Sequence, residues 1–158
     1  MNSYRTHTCS ELRAANIGKP TTLIGWVDSV RDHGGVIFID LRDRSGITQV
    51  VFHPEVNQDV AKASQQLRSE DMIQISGTVA ARLKTDTVDT TNADLPTGEI
   101  EVSADTLNVI NKADVLPFQL DRALSNEDLR LKYRFLDLRR PSMVRNMPVS
   151  YTHLTLPT

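Results

Sequence analysis

The sequence predicts a mainly β fold: a five-stranded Greek-key barrel with a short N-terminal helix and a second helix between strands 3 and 4, followed by a linker and hinge segment. Three observations lead there. Residues 36–41 and 47–52 are strands joined by the tight turn Asp43-Arg44-Ser45-Gly46. Further apolar or alternating runs lie before and after this hairpin, and only residues 57–69 among them have helical spacing. Beyond about residue 110 the alternation stops and Pro117 interrupts a stretch with little periodicity.

Taken in order, Thr8-Cys9-Ser10-Glu11 has capping-box spacing, and Gly18 followed by Pro20 supplies a stop. Residues 9–17 are therefore expected as a short helix. A long strand follows from Thr21 to about Arg31, with Gly25 as the expected bend. His33-Gly34-Gly35 is a turn into the hairpin, which closes near His53-Pro54. In residues 57–69, Val60, Ala63 and Leu67 share one helical face, and Val56 is expected to pack at its start. Met72, Ile73 and Ile75 mark a fourth strand running to about Arg82. Residues 83–97 form a long polar loop, and Glu99-Ile100-Glu101-Val102 opens a fifth strand.

Successive side chains of a strand point to opposite faces. Ile37, Ile39 and Leu41 therefore form an apolar face, and Val36, Phe38 and Asp40 lie on the other. In the partner strand Thr48, Val50 and Phe52 face the core, leaving Ile47, Gln49 and Val51 opposite. An exposed ring beside an exposed amide suits a surface that reads a nucleobase, because the ring stacks and the amide bonds to the base edge. The plainer alternative is an amphipathic hairpin with one outward phenylalanine.

The chain has 158 residues, enough for one domain, or one domain and a tail, with a real core. Its 39% apolar and 24% charged content is that of a soluble globular chain. The net charge of −2 excludes a bulk basic field, so nucleic-acid binding must rest on local placement. The single cysteine, Cys9, excludes an internal disulfide and a cysteine-rich zinc site. No apolar run is long enough to span a bilayer and no apolar leader opens the chain, so a cytoplasmic location with no membrane partner is expected. Asp40, Asp43 and Glu101 lack a metal-ligand spacing, and no metal site is assigned.

Strand, strand, strand, helix, strand, loop, strand is the order of the OB-fold, which binds ligands on the face of its second and third strands. Phe38 and Gln49 fall on those strands. After the barrel, Ser125-Asn126-Glu127-Asp128 starts a helix with acids in its first turn, and residues 129–141 mix cations with aromatics. That segment is either a solvated basic helix or one that touches a phosphate backbone or docks a following domain.

Several stretches together closely resemble the N-terminal part of bacterial-type aspartyl-tRNA synthetases, in order: Gly25-Trp26-Val27, Arg31-Asp32, residues 36–44, residues 97–102, Ala113-Asp114-Val115-Leu116-Pro117 and residues 131–141. The likeness covers roughly residues 5–147. It implies domains at 1–110 (the anticodon-binding barrel) and 111–147 (linker and hinge), with a catalytic domain expected to begin just after Pro141 and to be absent here. No catalytic residue is therefore assigned. ATP and magnesium, and a homodimer, are implied only for the full-length enzyme, which attaches aspartate to tRNA. By the same resemblance Phe38 stacks on the middle anticodon base, a uridine, and Gln49 reads its edge. Arg31 contacts the loop, and Glu101 recognises the first base by accepting from guanine N–H groups. Ser29 stands where some members carry another arginine, and Asn92 is the nearest candidate for an asparagine contact from the long loop. His33 occupies a position where leucine is common in enzymes confined to aspartate tRNA. Histidine there resembles the forms that also charge asparagine tRNA; a turn histidine with no reading role is the alternative. Residues 148–158 do not resemble the family. They contain no Lys, Arg, Asp or Glu and no helical pattern, and they are expected to be a non-native tail, similar to one reading frame of a sequencing adapter. From a different functional class, a free-standing OB-fold module for single-stranded nucleic acid is the main alternative, and a barrel that serves only for docking is a third.

Overall fold

A computed structural model describes residues 4–83, 90–120 and 126–152, with side chains up to residue 147. Five strands close into a barrel: β1 (Pro20–His33), β2 (Val36–Arg42), β3 (Ile47–Phe52), β4 (Met72–Ala81) and β5 (Ile100–Asn111). They pair in the order β1–β2–β3–β5–β4, and β4 returns to β1. All neighbours are antiparallel except β3 and β5, which run parallel and meet at Val50–Val102 and Val51–Ser103.

Alternation explains the core. Leu23 and Val27, Ile37, Ile39 and Leu41, Val50 and Phe52, Ile73, Ile75 and Val79, and Ile100, Val102 and Ala104 all point inward, none more than 2% exposed. Burying each large aliphatic or aromatic side chain is worth about 1.5–3 kcal/mol, and this shared interior holds the strands in register. The β1–β2 turn follows from Gly34 and Gly35, whose φ values of +65° and +93° suit a two-residue hairpin turn whose twist matches the strands. Asp43 organises the next turn by accepting from the Ser45 and Gly46 amides at 2.7 and 3.1 Å.

Three local expectations change. In place of a helix over residues 9–17, only Ala14–Asn16 forms a 3₁₀ turn. Glu11 does accept from the Thr8 amide at 2.6 Å. The barrel, however, takes the Cys9 backbone: its N–H donates to Asp43 at 2.9 Å and its carbonyl accepts from Thr48 at 2.6 Å. In β1 the irregularity lies between Val27 and Ser29 rather than at Gly25. There Val27 bonds to Asp71 and Glu70, and Arg42 pairs with Asp28 and Glu70. Gly25 instead permits a close approach, since a Cβ there would lie 2.5 Å from the Arg42 carbonyl oxygen. Helix α1 (Gln58–Ser64) is shorter than residues 57–69 and rotated, burying Ala61 and Ser64. Val60 is partly buried against the core, Leu67 follows the helix into the core, and Ala63 and Val56 are exposed. Asn57 caps the helix by accepting from the Asp59 and Val60 amides, each at 3.2 Å. The chain then tightens through 3₁₀-type bonds from Gln66 to Ala63 and Leu67 to Ser64, which ends the helix early.

The chain divides into compact units at residues 1–113 and 114–158. The second carries α2 (Glu127–Lys132), α3 (Arg134–Asp137) and α4 (Pro141–Thr152), and its apolar cluster is Phe118, Leu120 and Leu136 with Leu116, Leu129 and Tyr133 packed against it. Its centre is the buried Asp137 carboxylate, which accepts from Arg130 at 2.9 and 3.2 Å, from Arg134 at 2.9 Å and from Arg140 at 2.9 Å. The Arg130 bonds, with those of Arg140, hold this carboxyl below the ordinary aspartate range. Helix α4 runs to Thr152, into the segment expected to lack helical pattern; residues 153–158 lie outside the described part. Among the described residues no helix is long and apolar enough to cross a membrane.

Candidate nucleic-acid interface

Strand register builds the site as a grid. Directly opposed residues on antiparallel neighbours share a face. Arg31, Phe38 and Val51 form one row across β1, β2 and β3; Ser29, Asp40 and Gln49 form the next. Glu101 joins from β5, whose neighbouring residues Val102 and Ser103 pair with β3. Four of the residues singled out in the sequence, Phe38, Gln49, Arg31 and Glu101, are thereby brought together on one outer face. His33 adds its ring to Phe38 edge-on, with centroids 5.5 Å apart and planes at 75°. Asn92 makes its described hydrogen bonds within the 92–98 turn, where its side chain accepts from the Asp94 amide at 3.0 Å, and none of them is to this group.

The polar residues form a continuous hydrogen-bonded chain. Ser29 Oγ donates to Asp40 Oδ2 at 2.6 Å, and Arg31 Nη2 donates to Asp40 Oδ1 at 2.8 Å and, at 3.4 Å, to Gln49 Oε1. Gln49 Nε2 then donates to Glu101 Oε2 at 3.0 Å. The expectation of an exposed amide is therefore corrected. Gln49 is only 7% exposed because Arg31 and Glu101 bond to its two ends. Val51, across from Phe38, is fully buried, and Phe38 itself is half-buried.

Arg82 is the residue that sequence reasoning missed. It lies just beyond β4, is 7% exposed, and bonds through Nε to the Ile100 carbonyl at 3.1 Å and through Nη1 to the Thr90 carbonyl at 3.3 Å. Its Nη2 is buried without a partner among the described residues. Burial lowers its pKa, against the fields of Asp40 and Glu101 that favour the cation. Burial likewise pushes the Glu101 carboxyl above the ordinary range, opposed by the Gln49 hydrogen bond and by the charges of Arg82 and His53. The register Ala80–Glu101 places the end of β4 beside Glu101, and no local pattern in the sequence reveals that pairing.

The closed five-strand barrel is accompanied by a match in sequence: the profile of the OB-fold nucleic acid binding domain family matches residues 21–110. The chain belongs to that family. Beyond the OB-fold domain itself, the chain is 48% identical over 151 residues to the aspartate–tRNA(Asp/Asn) ligase of Methylacidiphilum infernorum, covering 96% of the chain and 24% of the ligase. It is 54% identical over 144 residues to the enzyme of the same name from Desulfotalea psychrophila, covering 90% of the chain and 23% of the ligase. Among solved structures it resembles asparaginyl-tRNA synthetase from Pyrococcus horikoshii, complexed with asparaginyl-adenylate, with a TM-score of 0.76 at 27% identity over 96% of the chain and 32% of the synthetase. The chain thus spans about a quarter of the length of the curated relatives it matches.

Proposed function

We propose that this OB-fold domain reads the anticodon of aspartate tRNA as part of an aspartate–tRNA ligase. The observation that carries the reading is the half-buried Phe38 ring beside an amide whose donor and acceptor ends are both oriented by charged neighbours. A ring without charge stacks on any base, whereas an oriented amide distinguishes base edges. In this reading Glu101 accepts from the first base, with the charge of the buried Arg82 guanidinium acting on its carboxyl. The likeness to two ligases at 48% and 54% identity supports this reading over a free-standing single-strand binder.

In the longer protein, aspartate is attached to tRNA at the expense of ATP, in the cytoplasm and as a homodimer. On this reading ATP and magnesium are bound by the rest of that protein. The substrate range includes asparagine tRNA. His33 supports this, because its ring packs on Phe38 at the edge of the base-reading face, and both relatives carry the Asp/Asn designation.

Fluorescence-anisotropy titration with aspartate and asparagine anticodon stem-loops tests the proposal. Comparable affinity for both loops, and weaker binding to an unrelated loop, is expected. Binding governed only by pyrimidine content would favour the single-strand module, and no binding would favour a docking barrel. The His33→Leu variant should leave the aspartate loop nearly unaffected and weaken the asparagine loop by about fivefold, the value of one lost contact. Equal effects on both loops would remove the dual-specificity reading alone.

A further inference from the structure

A primary amide is an ambiguous reader of pyrimidines. Uracil presents an N3–H donor beside the O4 acceptor; cytosine presents an N3 acceptor beside an amino donor. An amide supplies one acceptor and one donor, and turning it over exchanges them. A glutamine free to flip therefore satisfies uracil and cytosine equally well.

In this barrel the amide is not free. Its Oε1 faces the Arg31 guanidinium at 3.4 Å, and its Nε2 faces the Glu101 carboxylate at 3.0 Å. Flipping it would set N–H against guanidinium and carbonyl oxygen against carboxylate, losing both bonds and replacing them with like-polarity contacts. Arg31 is itself held by Asp40, whose second oxygen is occupied by Ser29. What remains of Gln49 for a ligand is one Oε1 lone pair and one Nε2 hydrogen, in a fixed order.

We propose that the Ser29–Asp40–Arg31–Gln49–Glu101 chain locks the direction of the Gln49 amide, and that this lock makes the site select uracil over cytosine at the stacked base. Asp40 and Glu101 are positioning residues in this role, Asp40 acting through Arg31. The inference rests on the anticodon reading above and names the device that gives that reading its selectivity. Phe38 stacks on either pyrimidine and contributes nothing to the choice.

The test uses the full chain and two stem-loops that differ only in uracil or cytosine at the middle anticodon position. The wild-type protein is expected to prefer the uracil loop by about tenfold or more, as a bidentate edge contact does. Asp40→Ala and Glu101→Gln should bring that ratio towards one, with the Asp40→Ala variant gaining affinity for the cytosine loop. A merely structural loss would weaken both loops together and would not produce that gain. Asp40→Asn, which still offers Arg31 an acceptor, should restore part of the ratio. Independently of RNA, the Gln49 side-chain NH2 resonances, assigned by their loss in Gln49→Ala, should exchange slowly with solvent in the wild type and faster in both unlocking variants. A wild-type preference retained in Asp40→Ala and Glu101→Gln, with unchanged amide exchange, would overturn the lock and leave the anticodon reading intact. No wild-type preference between the loops would overturn both.

Discussion

Replacing Phe38 by alanine isolates the stacking platform from everything else in the barrel. The ring lies on the outer face of β2, outside the core cluster formed by Ile37, Ile39 and Leu41. Its described ring partner is His33, edge-on at 5.5 Å, a contact worth about 0.5–1.5 kcal/mol. The fold should therefore survive with a loss of about 1 kcal/mol. Stacking of a base on an aromatic side chain contributes about 1–3 kcal/mol. At 1.4 kcal/mol per tenfold, Kd for the aspartate stem-loop should rise about 5- to 140-fold. Because no charge is removed, the slope of log Kd against log salt should stay at its wild-type value while the whole line shifts. Anisotropy titrations at two salt concentrations, on protein whose circular dichroism matches the wild type, read both quantities. A folded Phe38→Ala variant binding within about twofold of wild type would refute the stacking assignment. A changed salt slope would show that the ring acts by positioning Arg31.

Further expectations concern pH and packing. The Glu101 carboxyl is raised by burial, with Gln49, Arg82 and His53 facing it, so RNA affinity should fall on acidification at a higher pH than for an ordinary glutamate. A group whose folded pKa is raised adds stability below its unfolded pKa and loses it as pH rises through the folded value. Glu101→Gln should therefore raise the melting temperature most near neutrality, and an unchanged pH profile of binding in this variant would contradict the role of the carboxylate. Gly25→Ala places a methyl 2.5 Å from the Arg42 carbonyl oxygen and should destabilise the barrel by about 1–3 kcal/mol in urea titration; an unchanged midpoint would mean that β1 and β2 part at no cost. Asp137, whose pKa is lowered by Arg130 and Arg140, adds stability above the ordinary aspartate pKa that is lost as pH falls through its folded value. NMR signals of Leu136 and Phe118 should lose dispersion over that acidic range and in Asp137→Asn at neutral pH, and dispersion retained in both would refute the role of the arginine cluster.

The hairpin was legible because one face of β2 and β3 is buried in the barrel, which forces a strict alternation that the residues display. The parts that were not legible depend on partners distant in sequence. A capping pattern at Thr8–Glu11 reads as a helix start until Asp43 and Thr48 claim the Cys9 backbone. Spacing alone cannot choose between the Val60 and Ala61 faces of α1, since the small residues Ala61 and Ser64 pack as well as larger ones do. Phe38 and Gln49 could be placed on one face from β2 and β3 alone. That Gln49 is covered follows only from the registers joining β1 to β2 and β5 to β3, which bring Arg31 and Glu101 over it. The same cross-strand placement hides Arg82, whose neighbours Ile100 and Glu101 lie beyond a long loop.

The barrel closes unevenly. Strands β4 and β5 are zipped from Met72 to Ala81, whereas β3 and β5 are joined only at Val50–Val102 and Val51–Ser103. A seam with so few backbone bonds opens at lower free energy than the rest of the cylinder. The Gln49–Glu101 hydrogen bond lies across that seam, one residue on each lip, like a stitch over a short join. An RNA loop that engages both side chains spans the same gap, so its binding energy also resists breathing of the cylinder. Recognition and rigidity then rise together, and the amides of Val50, Val51, Val102 and Ser103 become the natural place to watch that coupling by hydrogen exchange.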